Sequence, residues 1–494
     1  MIRALVASSL AGSAGIFAFV GGMGLTGSPV VALLAAAGLA GSVVFYVLKR
    51  LPLDEASCPR LLRAVSALAT IAALVQLTRL AVFIVDPTHV ESSFVPGSQW
   101  EVRHSCLTAY YVTAKAASTV PDIYDHKLYS APDDDPAKPR KPLMLGPFNI
   151  DVYEYPPPFL LLPRAVRALT PEFQPMRMVW FALNGLVVLL AFVVVARWLG
   201  RAAGTRALLL SPLIWISMPT LSVLQKGNVQ AMVIAATLLA LGLFERRRHI
   251  AGGIIFAFMC VSKLYPGLLV VYLVARRQWR ALAWTFAASV VFVIASVVDI
   301  GWAAFGTFRE HFPGLLSGEA FPAFRNPPAI ANNLSVPGLV FKLKLFGVPG
   351  MSFDTMRIVG TLYSIAAVIV TWFAARRAVR SDRMPLLWLA IVILATLRSP
   401  FLPQGYGAFP SIWLLTLVWA VRPDTTRGVV AMLLVWAGLN IYWPTDWVRE
   451  ARFAVFTNFI PQALTAVIAV VVLRRAHHRG YETDVNADAT ARAA

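Results

Sequence analysis

Apolar runs punctuated by short polar connections dominate this chain. A helix rising 1.5 Å per residue needs about 20 apolar residues to cross the hydrocarbon of a bilayer. Runs near that length fall at residues 4–23, 28–48, 62–85, 178–196, 207–224, 228–244, 281–299, 356–375, 384–398, 407–421, 427–443 and 459–473. The pattern predicts an all-α polytopic membrane protein of about 12–14 transmembrane helices. Clusters of Lys and Arg alternate with these runs: Lys49, Arg50, Arg60 and Arg63; Arg197, Arg201 and Arg206; Arg246 to Arg248; Arg276, Arg277 and Arg280; Arg376, Arg377, Arg380 and Arg383; Arg422 and Arg427; Arg474, Arg475 and Arg479. Positive flanks stay on the cytoplasmic side, so both termini are expected there, in a bacterial inner membrane.

One stretch does not fit two full crossings. Between Arg248 and Arg276 the chain must leave the cytoplasmic face and return within about 26 residues, too few for a pair of spanning helices. The segment is therefore expected to be broken or re-entrant. Its middle reads Ser262-Lys263-Leu264-Tyr265-Pro266-Gly267. Irregular backbone and an ammonium group at membrane depth persist only beside protein or a wet cavity, so the break points at a buried polar site.

Composition agrees with the periodicity. Hydrophobic residues make up 58% of the 494 residues and charged ones 14%, against roughly 25% charged in soluble domains. Mean hydropathy is +0.67. These values exclude a soluble enzyme, a disordered chain and a disulfide-stapled scaffold. The net charge of +19 is accounted for by loops facing the cytoplasm, and no nucleic-acid partner is expected.

Two long connections, 86–177 and 300–355, lie on the outer side by this topology. The first is rich in aromatic residues and is expected to be ordered, with short amphipathic helices; its Asp133 to Lys141 stretch reads as an exposed turn. The tail at 476–494 lacks apolar periodicity and is expected to be disordered. The three cysteines map to separate compartments and the seven histidines show no ligand spacing, so neither a disulfide nor a metal site is expected.

Polar residues near the outer side supply the candidate chemistry. Arg79 lies inside a span before Asp86, with Glu101, Arg103 and His104 following. A charge within a span is a functional hypothesis, since burying it costs about 2.5–3.5 kcal/mol; snorkelling is the competing account of Arg79. Asp151-Val152-Tyr153-Glu154-Tyr155 runs into three prolines that favour extended backbone, placing Asp151, Tyr153 and Tyr155 on one side. Such a strip either holds a sugar or packs at the bilayer interface. Gln225-Lys226-Gly227-Asn228-Val229-Gln230 supplies amide and ammonium donors suited to hydroxyls or a phosphate oxygen. Asn326, Asn332 and Asn333, then Arg398, Gln404 and Tyr406, extend that chemistry.

Tyr-x-Tyr-Pro-Pro after a long first outer loop, Lys-Gly-Asn-x-Gln at a later turn and Ser-Lys-x-Tyr-Pro in a broken segment together resemble the polyprenol-phosphate-mannose-dependent α-1,2-mannosyltransferases of the GT-C superfamily. The resemblance spans residues 62–475 and leaves 1–61 as two additional helices with a cytoplasmic loop. It implies a GT-C-like helical bundle that moves a sugar, mannose in that family, from a polyprenyl-phosphate donor to a lipid-linked or glycan acceptor outside, with inversion.

A phosphate leaving group needs a cation, and the acceptor hydroxyl needs one base. Lys263 and Arg398 are the candidates for phosphate; Lys226, Asn228, Gln230, Tyr153, Tyr155 and Tyr265, with Arg79, are the candidates for binding substrate. The family's catalytic Asp precedes an aromatic pair, but His104-Ser105-Cys106-Leu107-Thr108-Ala109-Tyr110-Tyr111 holds no carboxylate. His104 is therefore the candidate base, with Asp86, Glu101 and Asp151 as alternatives. No cofactor is expected, and a divalent cation is left open. A transporter or lipid flippase would share the broken helix and buried cations, and a polymerase or ligase using a lipid diphosphate would share the architecture.

Overall fold

The computed structural model describes residues 1–54, 58–132, 140–377, 381–422 and 426–474 in full. The middle of the Asp133 to Lys141 turn and the tail at 476–494 lie outside these residues. The protein is an all-α polytopic membrane protein. Among the described residues, seven helices are long and apolar enough to cross a bilayer: α1 (Ile2–Thr26), α2 (Pro29–Lys49), α3 (Arg60–Val85), α7 (Phe173–Trp198), α14 (Trp279–Ile300), α18 (Phe353–Arg376) and α23 (Ala451–Arg474). Between α3 and α7 lie the short α4 (Gln99–Arg103), α5 (Cys106–Ala116) and α6 (Leu161–Leu169).

The expected run at 207–224 is instead α8 (Arg201–Leu210), α9 (Pro212–Trp215) and α10 (Met218–Lys226), bent by 61°. Counting that bent pair as one span brings the total to eight, fewer than the sequence pattern predicts. The other apolar runs form shorter helices, among them α11 (Gln230–Glu245), α12 (His249–Ser262), α13 (Leu268–Ala275), α19 (Met384–Leu397), α21 (Phe409–Ala420) and α22 (Thr426–Leu439). Prolines set their limits: Pro212, Pro219, Pro385 and Pro410 stand in the first turns of α9, α10, α19 and α21. Proline tolerates a first helical turn but breaks an interior, a distinction that a hydropathy average does not register.

The anticipated break is present. α12 ends at Ser262, Lys263 is extended (φ −140°, ψ 129°), and Tyr265–Gly267 forms one 3-10 turn before α13. Glu245, just before the hairpin, accepts a 2.9 Å bond from Gln278 Nε2, just after it. Both ends of the α12–α13 hairpin therefore open on one face, and the chain turns back at Lys263.

That face also collects basic helix ends. Arg3 donates to the Val47 and Leu48 carbonyls at 3.2 Å, Arg197 to the Tyr46 hydroxyl at 2.6 Å, and Arg246 stacks 5.3 Å over Trp198. On the opposite face α7 closes the end of α3: Gln174 Nε2 donates to the Ile84 and Val85 carbonyls at 2.6 and 2.8 Å, and Arg177 to those of Phe83 and Ile84 at 2.9 and 3.1 Å. α1 packs along α7, where a Cβ on Gly185 would lie 2.3 Å from the Phe17 ring, so only glycine permits the approach.

Among the described residues of the first long loop are two small sheets. The first has the order β1 (His104–Ser105), β5 (Phe148–Ile150), β4 (Met144–Leu145); the second pairs β2 (Ser130–Ala131) with β3 (Lys141–Pro142). Arg164 of α6 clamps this loop to α14 through Asp299 at 2.5 Å. The second long loop carries α15 (Ala303–Ser317), α16 (Pro327–Ala331) and α17 (Leu339–Leu345), and its Asn332 and Leu334 backbone bonds the segment leading from α19 into α20 (Gln404–Gly407).

Candidate active site

Strand pairing assembles the first wall. β1 runs parallel to β5 with His104 opposite Asn149 and Ser105 opposite Ile150, so the residues that follow, Cys106 and Asp151, emerge side by side. Thr108 secures the junction: its hydroxyl accepts from the Asp151 N–H at 2.9 Å and lies 2.6 Å from the Ser105 carbonyl. His104 Nε2 then lies 3.6 Å from Cys106 Sγ and 3.8 Å from Asp151 Oδ2. The Val152 N–H donates to Asp151 Oδ1 at 3.1 Å, leaving Oδ2 to the histidine. Trp100 stacks on the imidazole with ring centres 4.8 Å apart.

This pocket separates the ionisation of its groups. Asp151, still 36% exposed, has its pKa raised to about 6 by desolvation, opposed by the Val152 N–H, Cys106 and Lys226. Burial, with the charge of Lys226, lowers His104 to about 3, and burial with Asp151 pushes the Cys106 thiol to about 12. Glu154 is held well above the usual carboxyl range by burial and by Asp151, while Lys263 pulls it down. At neutral pH Asp151 is thus a carboxylate beside a neutral imidazole.

The second wall comes from the end of α10. Gly227 adopts φ +66° with Leu107 3.0 Å from where its Cβ would be, and its carbonyl accepts from Trp180 Nε1 at 2.8 Å. The tight turn aims Asn228 at the first wall, where Nδ2 donates to Cys106 Sγ at 3.3 Å. Asn228 Oδ1 accepts from the Gln230 N–H, and Gln230 Oε1 accepts from Lys263 Nζ, at 2.9 and 2.8 Å. The Lys263 ammonium lies 5.2 Å from the Tyr155 ring and 5.9 Å from that of Tyr265. Among the described residues, Gln230 Nε2, the Tyr265 hydroxyl and the Ser262 hydroxyl are buried without a hydrogen-bond partner. These are donors for something the protein alone does not supply.

Several expected residues sit elsewhere or are already engaged. Glu101 is fully buried and ion-paired to Lys226 at 2.8 Å, and it also accepts from the Tyr442 hydroxyl. Tyr153 is buried with its ring 5.8 Å from that of Tyr155, and its hydroxyl donates to the Pro156 carbonyl at 3.2 Å. The Tyr155 hydroxyl accepts from Tyr110 at 2.7 Å. Asp86 lies at the surface, bonded to Thr88. Arg79 bonds Gln76 and the Glu91 and Ser93 carbonyls. Arg398 bonds Ser364 of α18 at 2.6 Å rather than the groups around Lys263. Asn332 and Asn333 are taken up by the Trp443 and Pro400 carbonyls.

The sequence reading missed Cys106, Glu154 and the stacked Trp100. A grouping of possible metal ligands is also present: donor atoms of His104, Cys106 and Asp151 all lie within 4.8 Å of one another. Spacing along the chain could not show this, because the β1–β5 pairing brings the ligands together.

Residues 153–402, just over half of the chain, match glycosyltransferase family 87. The chain belongs to glycosyltransferase family 87. The matched segment carries Tyr155, Lys226, Asn228, Gln230 and Lys263, hence the second wall of the pocket, whereas His104, Cys106 and Asp151 precede it. Membership makes the protein a membrane glycosyltransferase and removes the transporter reading. No curated protein matches the chain.

Proposed function

We propose that this glycosyltransferase moves a sugar, mannose by its motifs, from a polyprenyl-phosphate donor to a hydroxyl of a lipid-linked or glycan acceptor at the non-cytoplasmic face, with inversion. The observation that carries this reading is the convergence of the Asp151 carboxylate and the half-buried Lys263 ammonium, joined through Cys106, Asn228 and Gln230 and flanked by the Tyr155 ring, at the turning point of a hairpin that opens on the opposite face. Asp151 serves as base in place of His104, because its pKa lies close to working pH whereas the imidazole has lost its basicity. Its Oδ2 takes the proton of the acceptor hydroxyl while the hydroxyl oxygen bonds to the anomeric carbon. The bond from that carbon to the phosphate oxygen breaks, and the electron pair leaves with polyprenyl phosphate. Lys263 stabilises the departing charge, with Gln230 Nε2 and the Tyr265 hydroxyl as further donors. His104, neutral and stacked on Trp100, orients the carboxylate.

The test supplies purified protein with polyprenyl-phosphate mannose, polyprenyl-phosphate glucose or a lipid-diphosphate sugar, together with membrane lipids. Wild type is expected to consume the mannosyl monophosphate, and Asp151→Asn and Lys263→Met to lose about 10²–10⁴ in rate. Consumption of the diphosphate donor alone, or full activity in both variants, rejects the proposal.

A further inference from the structure

We propose that His104, Cys106 and Asp151 form a three-donor site for a zinc-class divalent ion, and that an ion bound there switches transfer off. The blocking half rests on Asp151 as base; the binding half does not. The donor set is one imidazole nitrogen, one sulfur and one carboxylate oxygen, a combination that suits zinc rather than magnesium or calcium. Metal–ligand lengths of about 2.0–2.3 Å at tetrahedral angles separate neighbouring donors by about 3.3–3.6 Å. His104 Nε2 to Cys106 Sγ is 3.6 Å, His104 Nε2 to Asp151 Oδ2 is 3.8 Å, and all three donors fall within 4.8 Å. Closing on an ion draws the first two pairs in by a few tenths of an ångström and the widest by at most about 1.2–1.5 Å.

The surroundings hold each ligand in place. Trp100 fixes the imidazole plane, the Val152 N–H takes Oδ1 of Asp151 so that Oδ2 faces inward, and Asn228 Nδ2 donates to the sulfur at 3.3 Å. Partners of this kind orient ligands and tune their affinity. The two ammonium groups that bear on the site are both held by other partners, Lys226 by Glu101 and Lys263 by Gln230, each at 2.8 Å. Binding releases the Cys106 proton to solvent, and thiolate plus carboxylate then balance the divalent charge. Three protein ligands leave a fourth position open, as in accessible zinc sites. Once Oδ2 is coordinated, its lone pair is no longer free to accept the acceptor's proton.

The experiment titrates the full-length protein in detergent with cobalt(II) as a spectroscopic stand-in, followed by competition with zinc. Wild type is expected to develop a thiolate-to-cobalt charge-transfer band that zinc abolishes, at about one ion per chain. Cys106→Ser should lack the band, and Asn228→Ala, which keeps all three ligands, should bind about 10–100-fold more weakly. Absence of the band in wild type, or its persistence in Cys106→Ser, overturns the site. Transfer measured alongside should stop when zinc is added and return with a chelator; transfer unchanged at saturating zinc overturns the blocking role. Metal binding without consumption of any donor would sink the donor assignment and leave the site standing, whereas transfer without a cobalt band does the reverse.

Discussion

Asp151 and His104 are in contact yet shifted in opposite directions, and both shifts disfavour the charged form. Desolvation raises the carboxyl to about 6 and drops the imidazole to about 3, so one proton equilibrium near neutrality governs the pair. Below pH 6 the carboxyl carries its proton and cannot accept another. The rate is therefore expected to rise with pH through about 6, and a pH–rate profile of Asp151→Asn should lose that limb along with most of its activity. Lys226 answers to a different constraint. Its partner Glu101 is fully buried, so Lys226→Met would strand a carboxylate and should destabilise the protein by about 3–5 kcal/mol. Adding Glu101→Gln should recover part of that loss in thermal unfolding; a second variant no more stable than the first would deny the pair its structural role. Residue type exposed Lys263, since an ammonium group at membrane depth is costly and therefore informative, and exposed Lys226, Asn228 and Gln230 as clustered donors at a turn between two spans. Cys106 stayed hidden because a lone thiol reads as a small apolar residue until His104 and Asp151 are seen beside it.

At the level of elements, the re-entrant hairpin was legible and the bent helix was not. The hairpin follows from counting residues between two basic clusters that must share a face, and the Glu245–Gln278 bond closes it as that count requires. The break between α8 and α10 depends on prolines whose hydropathy resembles that of their neighbours, so an averaged profile runs through it. The two-residue strands that carry His104 are too short for any alternation to show. Helix closure was equally invisible: α3 ends at Asp86 without a glycine, and α7 supplies donors to its last carbonyls through Gln174 and Arg177. Arg177 places a cation at that helix's negative end, 4.8 and 4.6 Å from the Phe83 and Phe148 rings, with no acidic partner among its bonds to described residues. Since hydrogen bonds from a charged donor are worth about 1.5–3 kcal/mol, Arg177→Met should lower stability by roughly that amount. Limited proteolysis should then cut residues 86–103 faster than in wild type; an unchanged cleavage pattern would show that α3 ends stably on its own.

For the whole molecule, the arrangement of charge decides which way the pocket faces. Basic ends of α1, α2, α7, α11 and α13 gather on one face, tied together by Arg3, Arg197, Arg246 and the Glu245–Gln278 bond, while the pocket lies at the opposite ends of α3, α7, α10 and α12. Lys and Arg near helix ends are retained in the cytoplasm during insertion, so the pocket is expected outside and its donor in the outer leaflet. The N-terminal pair reinforces this orientation: α1 is packed into the bundle against α7, whereas α2 touches little besides α1 and is 11% buried over its apolar window. Its Ala32, Ala36 and Ala40 pack on Gly22 and Gly15 of α1, leaving Leu33, Leu34 and Phe45 exposed, and its basic end meets Arg197 through Tyr46 on the same face as the other clusters. Single cysteines test the assignment directly, because Thr119 in the first long loop and Arg276 at the end of α13 are both exposed on opposite faces. A membrane-impermeant maleimide applied to intact cells should label Thr119→Cys above the wild-type background of Cys58, Cys106 and Cys260, and should reach Arg276→Cys only after lysis. The reverse pattern would place the pocket in the cytoplasm, where its donor would have to be drawn from the inner leaflet.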